Sequence, residues 1–377
     1  MIDILLWLGA VLWILLFIQL MVNRALARDL SRIDLQPVNN PPFVSIVVPA
    51  RNEERSIRQA VSSFCTQDYP HFEVLVVDDS STDATPKILA ELQTRFSHLK
   101  VIDGRDPPAG WLGKPHALEI GRKEAKGQWL LFVDADVVYG PDLLNRAIAY
   151  VVREEANMLF LAPNFTTKSV LEAVLMSNIY FVAAAAFPTY LATYSKSKRF
   201  AGGGGVFNLV NRDALTACGA FESIKDAVVD DVALGYKVKA AGYRLAGAMA
   251  GSLIRIRMYH SALETVEGFT KNMYPLARQL PWILPIPFVG GFILTLLPYY
   301  AFFAGLLVGF IPVPAAISLI FAHLLFGCIS LFFKQPWYIA FLNPLREVGW
   351  WWIMVRSLVV YHRKGIVWRG RSYSNKN

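Results

Sequence analysis

The chain has 377 residues, a net charge of +8, 54% hydrophobic residues and a mean hydropathy of +0.37, which is high for a soluble protein. Its three cysteines are far apart and odd in number, which argues against a disulfide framework or a zinc-finger pattern. The basic residues cluster beside apolar segments, so anionic lipid headgroups explain the charge better than a nucleic-acid partner. The sequence therefore predicts membrane segments at both ends of a soluble middle.

The first predicted element is an uncharged apolar run from Ile4 to Val22, about long enough to cross a ~30 Å hydrocarbon core. A cleaved signal peptide is the alternative, but Asp3 stands where a basic region is expected and no small-x-small cleavage site follows. We predict a transmembrane anchor over 1–23 and a polar, proline-rich linker over 24–42. Three arginines after the apolar run predict a cytoplasmic location for the next domain: Arg24, Arg28 and Arg32.

Strands and helices then alternate from residue 43 onward. The predicted strands are 43–50, 72–80, 99–104 and 128–136, and the predicted helices between them are 54–67, 84–96 and 115–127. This alternation predicts an α/β domain with a mostly parallel sheet flanked by helices. Ligands of such sheets bind beyond the carboxyl ends of the strands. Five acidic residues lie at or just past those ends: Glu53, Asp78, Asp79, Asp134 and Asp136.

The alternation is less regular from about residue 150 to 260, where strands are expected at 158–163 and 243–250. The long apolar segment 170–192 carries Glu172 and Asn178. A transmembrane helix is one interpretation, but it would put the two halves of the soluble domain on opposite sides of the membrane. The pattern favours an amphipathic helix that lies against the sheet or the membrane surface.

The C-terminal third contains three apolar runs, over 282–311, 314–333 and 337–360. The third is interrupted by Asn343, Arg346 and Glu347. A basic tail over 362–377 is expected to be cytoplasmic, which requires an even number of crossings after residue 281. We predict a membrane region over 282–361 with two spanning helices and a third segment that re-enters or lies in the interface. The alternative is that the third run also crosses and the tail lies outside.

Asp134 and Asp136 are at the end of the predicted fourth strand, where alternate residues point to the same side. Two carboxylates on one side repel each other unless a cation lies between them. Mg²⁺ or Mn²⁺ favours carboxylates and is usually completed by phosphate oxygens and water. Helix capping before Pro141 is the alternative, and it explains one aspartate but not both.

Other polar stretches have a structural and a functional interpretation. Glu53 suits a helix N-terminus as well as a ligand site. One of Asp78 and Asp79 can cap the next helix, and the other can accept a hydrogen bond from a base or a ribose. Lys114 follows Gly110 and Gly113 and can pair with a phosphate, although the spacing is not that of a Walker A loop.

A further acidic pair, Asp230 and Asp231, precedes a predicted helix. One of the two can be the helix N-cap, and the other is then available as a general base. The stretch 200–215 contains four consecutive glycines, over 202–205, which fit a loop where a bulky ligand approaches the backbone.

Together these motifs resemble those of family 2 glycosyltransferases with the GT-A fold. The matching stretches are P-A-R-N-E-E (49–54), V-V-D-D-S-S-T-D-A-T (76–85), D-A-D (134–136), D-D (230–231) and the segment 258–282. The resemblance covers roughly residues 43–282. The flanking apolar segments make the chain most similar to membrane-bound members such as the hopanoid-associated glycosyltransferases, and more distantly to ceramide glucosyltransferases.

The resemblance implies a cytoplasmic GT-A domain over 43–281 that binds a nucleotide-sugar donor, a divalent metal ion and a lipid acceptor. The residues implied for nucleotide-sugar binding are Glu53, Asp79, Lys114 and Asp134. The residues implied for holding Mg²⁺ or Mn²⁺ are Asp134 and Asp136. Asp231 would deprotonate the acceptor hydroxyl in a single inverting displacement, with Asp230 beside it.

We therefore predict a membrane-bound inverting glycosyltransferase at the cytoplasmic face of the inner (plasma) membrane, with several membrane crossings. One alternative is a processive polysaccharide synthase, but the Q-x-x-R-W motif of those enzymes has only a partial match at Arg278–Trp282. The other alternative is a non-catalytic membrane protein with a degenerate nucleotide-binding domain. Few polar residues interrupt the apolar runs, which makes a transport function less suitable.

Overall fold

The computed structural model describes residues 1–186, 188–279, 285–364, 366–368 and 371–373, and the chain divides into two compact units. The helical unit comprises Met1–Leu26, Thr167–Pro188 and Tyr259–Asn377, and the α/β unit comprises Ala27–Thr166 and Thr189–Met258. Some predicted features extend beyond the described residues. These are residue 187 of the predicted helix, residues 280–284 with part of the partial motif and the start of the first C-terminal run, and residues 365, 369–370 and 374–377 of the basic tail.

The elements follow one another in this order. The chain begins with α1 (Ile2–Leu26), β1 (Val44–Ala50), α2 (Ile57–Cys65), β2 (Phe72–Asp78), α3 (Thr85–Arg95), β3 (Leu99–Asp103), α4 (Gly113–Glu124), β4 (Trp129–Phe132), β5 (Val137–Tyr139), α5 (Leu143–Arg153), β6 (Met158–Ala162) and β7 (Asn164–Phe165). It continues with α6 (Val170–Phe181), α7 (Leu191–Tyr194), β8 (Asn208–Asn211), α8 (Arg212–Ala217), α9 (Asp230–Ala240), β9 (Leu245–Met249) and β10 (Ile254–Ile256). The last elements are α10 (Ala262–Gln279), α11 (Pro285–Gly291), α12 (Leu297–Val308), α13 (Val313–Phe332), α14 (Asn343–Lys364), β11 (Ile366–Trp368) and β12 (Arg371–Tyr373).

The main sheet of the α/β unit has the strand order β3-β2-β1-β4-β8-β6-β9. The first four strands are parallel, with Val44 of β1 opposite Phe72 of β2 and Trp129 of β4. Strand β8 is antiparallel to both its neighbours, while β6 and β9 are parallel to each other. The predicted mostly parallel sheet is therefore confirmed, and the carboxyl ends of β1 to β4 share one edge.

Helices cover both faces of this sheet, because successive residues of a strand point to opposite sides. Ile46 and Val48 of β1 belong to one hydrophobic core, which also contains residues of α2, α3 and α5. Val47, between them, belongs to a second core with residues of α4, α8 and α9. All three β1 side chains are fully buried, and each such burial stabilises the fold by about 1.5–3 kcal/mol.

The fourth strand ends earlier than the sequence pattern predicts, at Phe132. The N–H of Val133 still donates to Val47 O at 3.2 Å, but the N–H of Asp134 donates to Gly205 O at 3.0 Å. The chain then turns into β5, which pairs with β10 in a separate three-stranded sheet. The prediction that Asp134 and Asp136 share one side of a strand is therefore wrong, because both lie in the turn between two sheets.

Part of the segment predicted as a linker is packed onto the α/β unit. Leu30 is fully buried, and its N–H donates to Met249 O at 2.9 Å. In turn the N–H of Met249 donates to Arg28 O at 2.7 Å. The guanidinium of Arg146 donates to Leu30 O at 3.2 Å and to Ile33 O at 3.1 Å. Residues 28–33 are thus held by backbone hydrogen bonds to β9 and by a side chain of α5.

In the described part of the helical unit, three helices are long and apolar enough to cross a membrane: Ile2–Leu26, Phe288–Val308 and Val313–Phe332. Helix α14 corresponds to the third predicted C-terminal run and is not one of the three. It nevertheless presents a row of exposed apolar side chains, spaced three or four residues apart: Leu345, Val348, Trp352, Val355 and Val359. Such spacing puts them on one face of the helix.

Asn178, a polar residue of the apolar 170–192 segment, is hydrogen-bonded inside the helical unit. Arg346 of α14 is only 3% exposed and donates to Asn178 Oδ1 at 3.3 Å. Its guanidinium also lies over the ring of Phe326, 4.1 Å from the ring centre. The indole N–H of Trp350 donates to Leu175 O at 3.2 Å. The sequence pattern could not indicate the two hydrogen bonds, because each joins residues more than 150 positions apart.

Candidate active site

The loops that follow β1 and β2 are joined by side-chain hydrogen bonds at the carboxyl edge of the sheet. The N–H of Asn52 donates to Ser81 Oγ at 3.0 Å, and the N–H of Thr82 donates to Asn52 Oδ1 at 2.8 Å. The N–H of Glu53 donates to Thr85 Oγ1 at 2.8 Å. The two motifs that the sequence shows separately, P-A-R-N-E-E and V-V-D-D-S-S-T-D-A-T, thus form one structure.

Neither aspartate at the end of β2 caps helix α3, whose N-cap is Ala84 without a side-chain cap hydrogen bond. Asp78 Oδ1 instead accepts a hydrogen bond from the N–H of Ser81 at 3.1 Å and so shapes the turn. Asp79 is only 3% exposed, and its Oδ2 lies 3.9 Å from the guanidinium of Arg51, which also donates to Asp79 O. The predicted capping role is therefore wrong, and the carboxylate of Asp79 is held beside a cation at the sheet edge.

Glu53 and Gly104 make further hydrogen bonds at this edge of the sheet. Glu53 Oε2 accepts a hydrogen bond from Ser56 Oγ at 3.0 Å, within its own loop. Gly104, directly after β3, donates its N–H to Asp78 O at 2.8 Å. A Cβ at Gly104 would lie 2.7 Å from Asp78 O, so a larger residue would push the two strand ends apart. The sequence interpretation missed Gly104, although a glycine immediately after a strand was a signal for close backbone approach.

Lys114 brings together residues from separate motifs. It lies in the first turn of α4, and its Nζ is 2.8 Å from Asp134 Oδ1 and 3.1 Å from Asp230 Oδ1. Burial opposes the charge of the ammonium, but the negative charges of Asp134, Asp230 and Asp231 raise its pKa well above the ordinary value. Lys114 is therefore a positively charged lysine between Asp134 of one acidic pair and Asp230 of the other.

Helix α9 begins with the acidic pair, and its N-cap is Val229 without a side-chain cap hydrogen bond. The prediction that one aspartate caps this helix is therefore wrong. Both carboxylates instead lie in the first helical turn, where the helix dipole favours negative charge. Asp231 is half-buried, and its Oδ1 accepts a hydrogen bond from the N–H of Val232 at 2.9 Å.

Asp230 is the more buried member of the pair, with its side chain 11% exposed. Burial raises its pKa to about 6, Lys114 opposes the shift, and the charges of Asp231 and Asp134 add to it. Near neutral pH the three carboxylates and Lys114 form a cluster with an excess of negative charge. A cluster of this kind attracts a further cation.

The four-glycine loop 202–205 is packed against protein groups at the points where it meets the acidic residues. A Cβ at Gly203 would collide with the carbonyl of Asp231, and a Cβ at Gly205 would lie 2.6 Å from Asp134 Oδ2. The predicted role of this loop, an open approach for a bulky ligand, is therefore wrong for these two glycines. They are required because the loop passes between the Asp134 turn and the start of α9.

Asp134 and Asp136 fit a divalent cation by their chemistry. Both offer carboxylate oxygens, which Mg²⁺ and Mn²⁺ prefer. The missing side chain at Gly205 keeps space open beside Asp134 Oδ2. Within the described residues, no three His, Cys, Asp or Glu side chains are grouped to hold a metal ion. Two carboxylates would therefore leave several coordination positions to phosphate oxygens and water, as Mg²⁺ sites commonly do.

The predicted site residues thus fall into two groups. Lys114, Asp134 and Asp230 are joined by ion pairs, with Asp136 and Asp231 in the same turn and helix start as their neighbours. Glu53 and Asp79 belong to the joined loops after β1 and β2. The sequence did not indicate that Lys114 pairs with both Asp134 and Asp230, because the three residues lie on separate elements.

The raised pKa of Asp230 gives a testable dependence of stability on pH. The folded protein binds this proton more tightly than the unfolded chain, since the pKa rises from 3.8 to about 6 on folding. The free energy of unfolding of the wild type should therefore fall by roughly 2 kcal/mol between about pH 4 and pH 7. That of Asp230→Asn should not show this decrease. We expect the difference in unfolding temperature, Asp230→Asn minus wild type, to increase as the pH is raised from about 4 to 7.

Thermal unfolding in detergent, followed by intrinsic fluorescence, would measure this difference. Asp213→Asn serves as the control, because Asp213 is an exposed carboxylate in the first turn of α8. A temperature difference between Asp230→Asn and wild type that is constant with pH would contradict the shifted pKa.

Comparison with known proteins finds a family match for the middle part of the chain. Residues 45–222 match the family model described as glycosyl transferase family 2. A beta-monoglucosyldiacylglycerol synthase of Nostoc sp. is 31% identical over an alignment of 211 residues, and the match covers 52% of this chain and 41% of that protein. A 4,4'-diaponeurosporenoate glycosyltransferase of Staphylococcus aureus is 25% identical over 272 residues, which are 71% of this chain and 70% of that protein.

Among solved structures, a mannosyltransferase from Pyrobaculum calidifontis in complex with GDP-Man and Mn²⁺ superposes with a TM-score of 0.56. It is 16% identical in sequence, and the superposition covers 96% of this chain and 99% of that one. This similarity bears on the fold alone. The match to the beta-monoglucosyldiacylglycerol synthases spans about two fifths of their length. Residues 45–222 therefore contain a glycosyl transferase family 2 domain, and the α/β unit has the GT-A fold.

Proposed function

We propose that this chain is a membrane-bound inverting glycosyltransferase that moves a sugar from a nucleotide-sugar donor to a lipid acceptor at the cytoplasmic membrane face. The observation that carries the proposal is the pairing of Lys114 with both Asp134 and Asp230. This pairing brings a carboxylate suited to a metal ion and a carboxylate pair suited to base catalysis to one edge of the sheet. Transfer from a nucleotide sugar needs both kinds of group.

The residue roles follow from the two groups in the site. Glu53 and Asp79, on the joined loops, would contact the nucleotide. Asp134 and Asp136 would hold Mg²⁺ or Mn²⁺, which when bound supplies charge neutralisation for the leaving diphosphate. Lys114 lies close enough to Asp134 to reach a diphosphate bound there as well.

Asp231 would take the proton of the acceptor hydroxyl. As the proton moves to the carboxylate, the hydroxyl oxygen forms a bond to the anomeric carbon, and the bond from that carbon to the diphosphate oxygen breaks. The nucleoside diphosphate leaves with the electron pair of that bond. One such displacement inverts the configuration of the sugar. The buried Asp230 holds Lys114 at 3.1 Å and thereby positions the cation beside the reacting groups.

A lipid acceptor is supported by the relatives and by the helices. The names of the two curated relatives specify a diacylglycerol glycoside and a diaponeurosporenoate as their products or substrates. In the part of the chain that the structure describes, three helices are long and apolar enough to span a membrane. An enzyme anchored in this way meets lipid acceptors in the plane of the membrane and does not depend on their solubility in water.

The proposed topology has three crossings and a cytoplasmic α/β unit, with membrane regions over 1–23 and 282–361. Arg24 in the last turn of α1, and Arg28 and Arg32 after it, favour the cytoplasmic side for the residues that follow. The exposed apolar face of α14 supports an interfacial position, and Arg356 lies over the ring of Trp352 on that helix. The tail over 362–377 would then also be cytoplasmic.

The test is a transfer assay with the purified full chain in lipid nanodiscs. A panel of nucleotide sugars, Mn²⁺ and a bacterial lipid extract are supplied, and lipid products are identified by mass spectrometry. We expect one sugar to be added to a lipid, with inverted configuration. Removal of the metal by EDTA, or the substitution Asp136→Ala, should reduce the rate by at least about 10²-fold.

Asp213→Ala is the matched control, because Asp213 is an exposed carboxylate outside the site. A ladder of products with many sugars would instead support a processive polysaccharide synthase. Nucleotide binding without turnover for any donor would support a degenerate binding domain and overturn the proposal.

A further inference from the structure

Lys114 has a position that the transfer reaction alone does not explain. Its ammonium lies 2.8 Å from Asp134 Oδ1, and its side chain is only 22% exposed. A metal ion held by the same carboxylate would lie about 2.1 Å from the oxygen it binds. Lys114 therefore lies where the positive charge of a bound metal is expected.

The neighbouring charges strengthen this conclusion. Asp134, Asp230 and Asp231 carry three negative charges around one ammonium, and each of the three carboxylates interacts electrostatically with Lys114. Without Lys114 the carboxylates would repel one another in a partly buried site. With Lys114 in place, a metal ion that approaches Asp134 is repelled by an ammonium that lies 2.8 Å from the same carboxylate.

We infer that Lys114 acts as an internal counter-ion that competes with the free metal ion for Asp134 and yields to the metal–nucleotide complex. This inference rests on the proposed function, because it assumes the metal role of Asp134. A free divalent ion is attracted by the remaining negative charge, but it is repelled by Lys114 and so binds less tightly than it would without the lysine. A metal ion that arrives with a diphosphate brings negative oxygens, to which the ammonium can turn while Asp230 stays within 3.1 Å.

This competition has a consequence for the order of binding. Lys114 lowers the affinity of the empty site for metal and raises its affinity for metal together with donor. The enzyme should therefore take up the metal ion and the donor as one complex, and in the empty enzyme Lys114 offsets part of the negative charge of the carboxylates. The same residue thus affects two binding steps in opposite directions, which a purely structural lysine would not do.

The experiment measures Mn²⁺ binding to the full chain in detergent by electron paramagnetic resonance of the free ion, without any acceptor. We expect Lys114→Met to bind Mn²⁺ alone about tenfold more tightly than wild type. In the presence of UDP or GDP, the affinity of the same variant for the Mn²⁺–nucleotide complex should be about tenfold weaker than that of wild type. Lys114→Arg keeps the charge, so its affinity for Mn²⁺ alone should stay close to that of wild type.

Lys100→Met is the matched control, because it removes one positive charge from an exposed ion pair, in which Lys100 Nζ is 2.6 Å from Glu124 Oε2. It corrects for the change in net charge and should alter neither affinity. Circular dichroism and unfolding temperature establish that each variant is folded. If Lys114→Met does not fold, Lys114→Gln replaces it, with the same expected changes.

The outcomes separate this inference from the proposed function. If wild type binds Mn²⁺ with nucleotide but Lys114→Met or Lys114→Gln binds Mn²⁺ alone no more tightly than wild type, the counter-ion role is wrong and the proposed function stands. If wild type binds no Mn²⁺ with or without nucleotide, both the metal role of Asp134 and the counter-ion role are wrong.

Discussion

Asp231→Asn should reduce glycosyl transfer by about 10²–10⁴-fold while leaving the affinity for the metal–nucleotide complex within about twofold of wild type. The asparagine keeps the shape of the side chain, and its Oδ1 can still accept the hydrogen bond from Val232 N–H that Asp231 accepts at 2.9 Å. It removes only the group that can take a proton. Asp231 is half-buried in the first turn of α9, so a substrate hydroxyl can reach it.

Turnover with a lipid acceptor and calorimetric titration of the metal–nucleotide complex would measure the two quantities separately. Asp226→Asn is the control, because Asp226 is an exposed carboxylate only five positions away in the sequence. Equal loss of turnover and of donor affinity would indicate that Asp231 helps to bind the donor. Turnover within about threefold of wild type would remove Asp231 as the base.

Gly205→Ala should reduce transfer by about 10²-fold although it adds one methyl group and removes no reactive group. The added Cβ would lie 2.6 Å from Asp134 Oδ2, closer than such atoms can approach, so the carboxylate must move. The N–H of Asp134 donates to Gly205 O at 3.0 Å, so the backbones on both sides of the contact are already fixed. Displacement of a metal-binding carboxylate by about 1 Å is enough for a loss of this size.

The measurements are turnover and affinity for the Mn²⁺–nucleotide complex, with the unfolding temperature taken alongside. Gly327→Ala in α13 is the matched control, since no described atom outside the neighbouring turns of α13 lies within 4 Å of the Cβ that it would add. We expect that control to keep its activity. Unchanged donor affinity in Gly205→Ala would show that Asp134 does not hold the donor or its metal ion in the position described.

The sequence predicted the strands and helices before residue 137 well, because hydrophobic periodicity depends on neighbouring residues. The sheet order after β4 was not predictable in this way. Strand β8 joins the sheet between β4 and β6 and runs antiparallel to both, a pairing between residues far apart in the chain. The early end of β4 at Phe132 has the same origin, because the chain leaves the main sheet to pair β5 with β10.

For the candidate site, the sequence indicated the acidic residues themselves but not their partners. Side-chain capping was expected for the pairs at 78–79 and 230–231, since local sequence favours it. The described contacts instead join Arg51 to Asp79 and Lys114 to Asp230, across separate elements. The glycines at 202–205 suggested an opening, whereas two of them permit close packing that only the folded chain reveals.

The backbone contact between residues 28–30 and β9 has a practical consequence for soluble fragments of this protein. Strand β9 is the last strand of the main sheet, and hydrogen bonds between Arg28, Leu30 and Met249 occupy groups on its outer side. An unprotected outer strand can pair with another molecule and cause aggregation. A truncation that begins at residue 43 removes this protection, whereas one that begins at Ala27 retains it. We therefore expect the short segment after the first helix to affect the solubility of the α/β unit as well as to connect it.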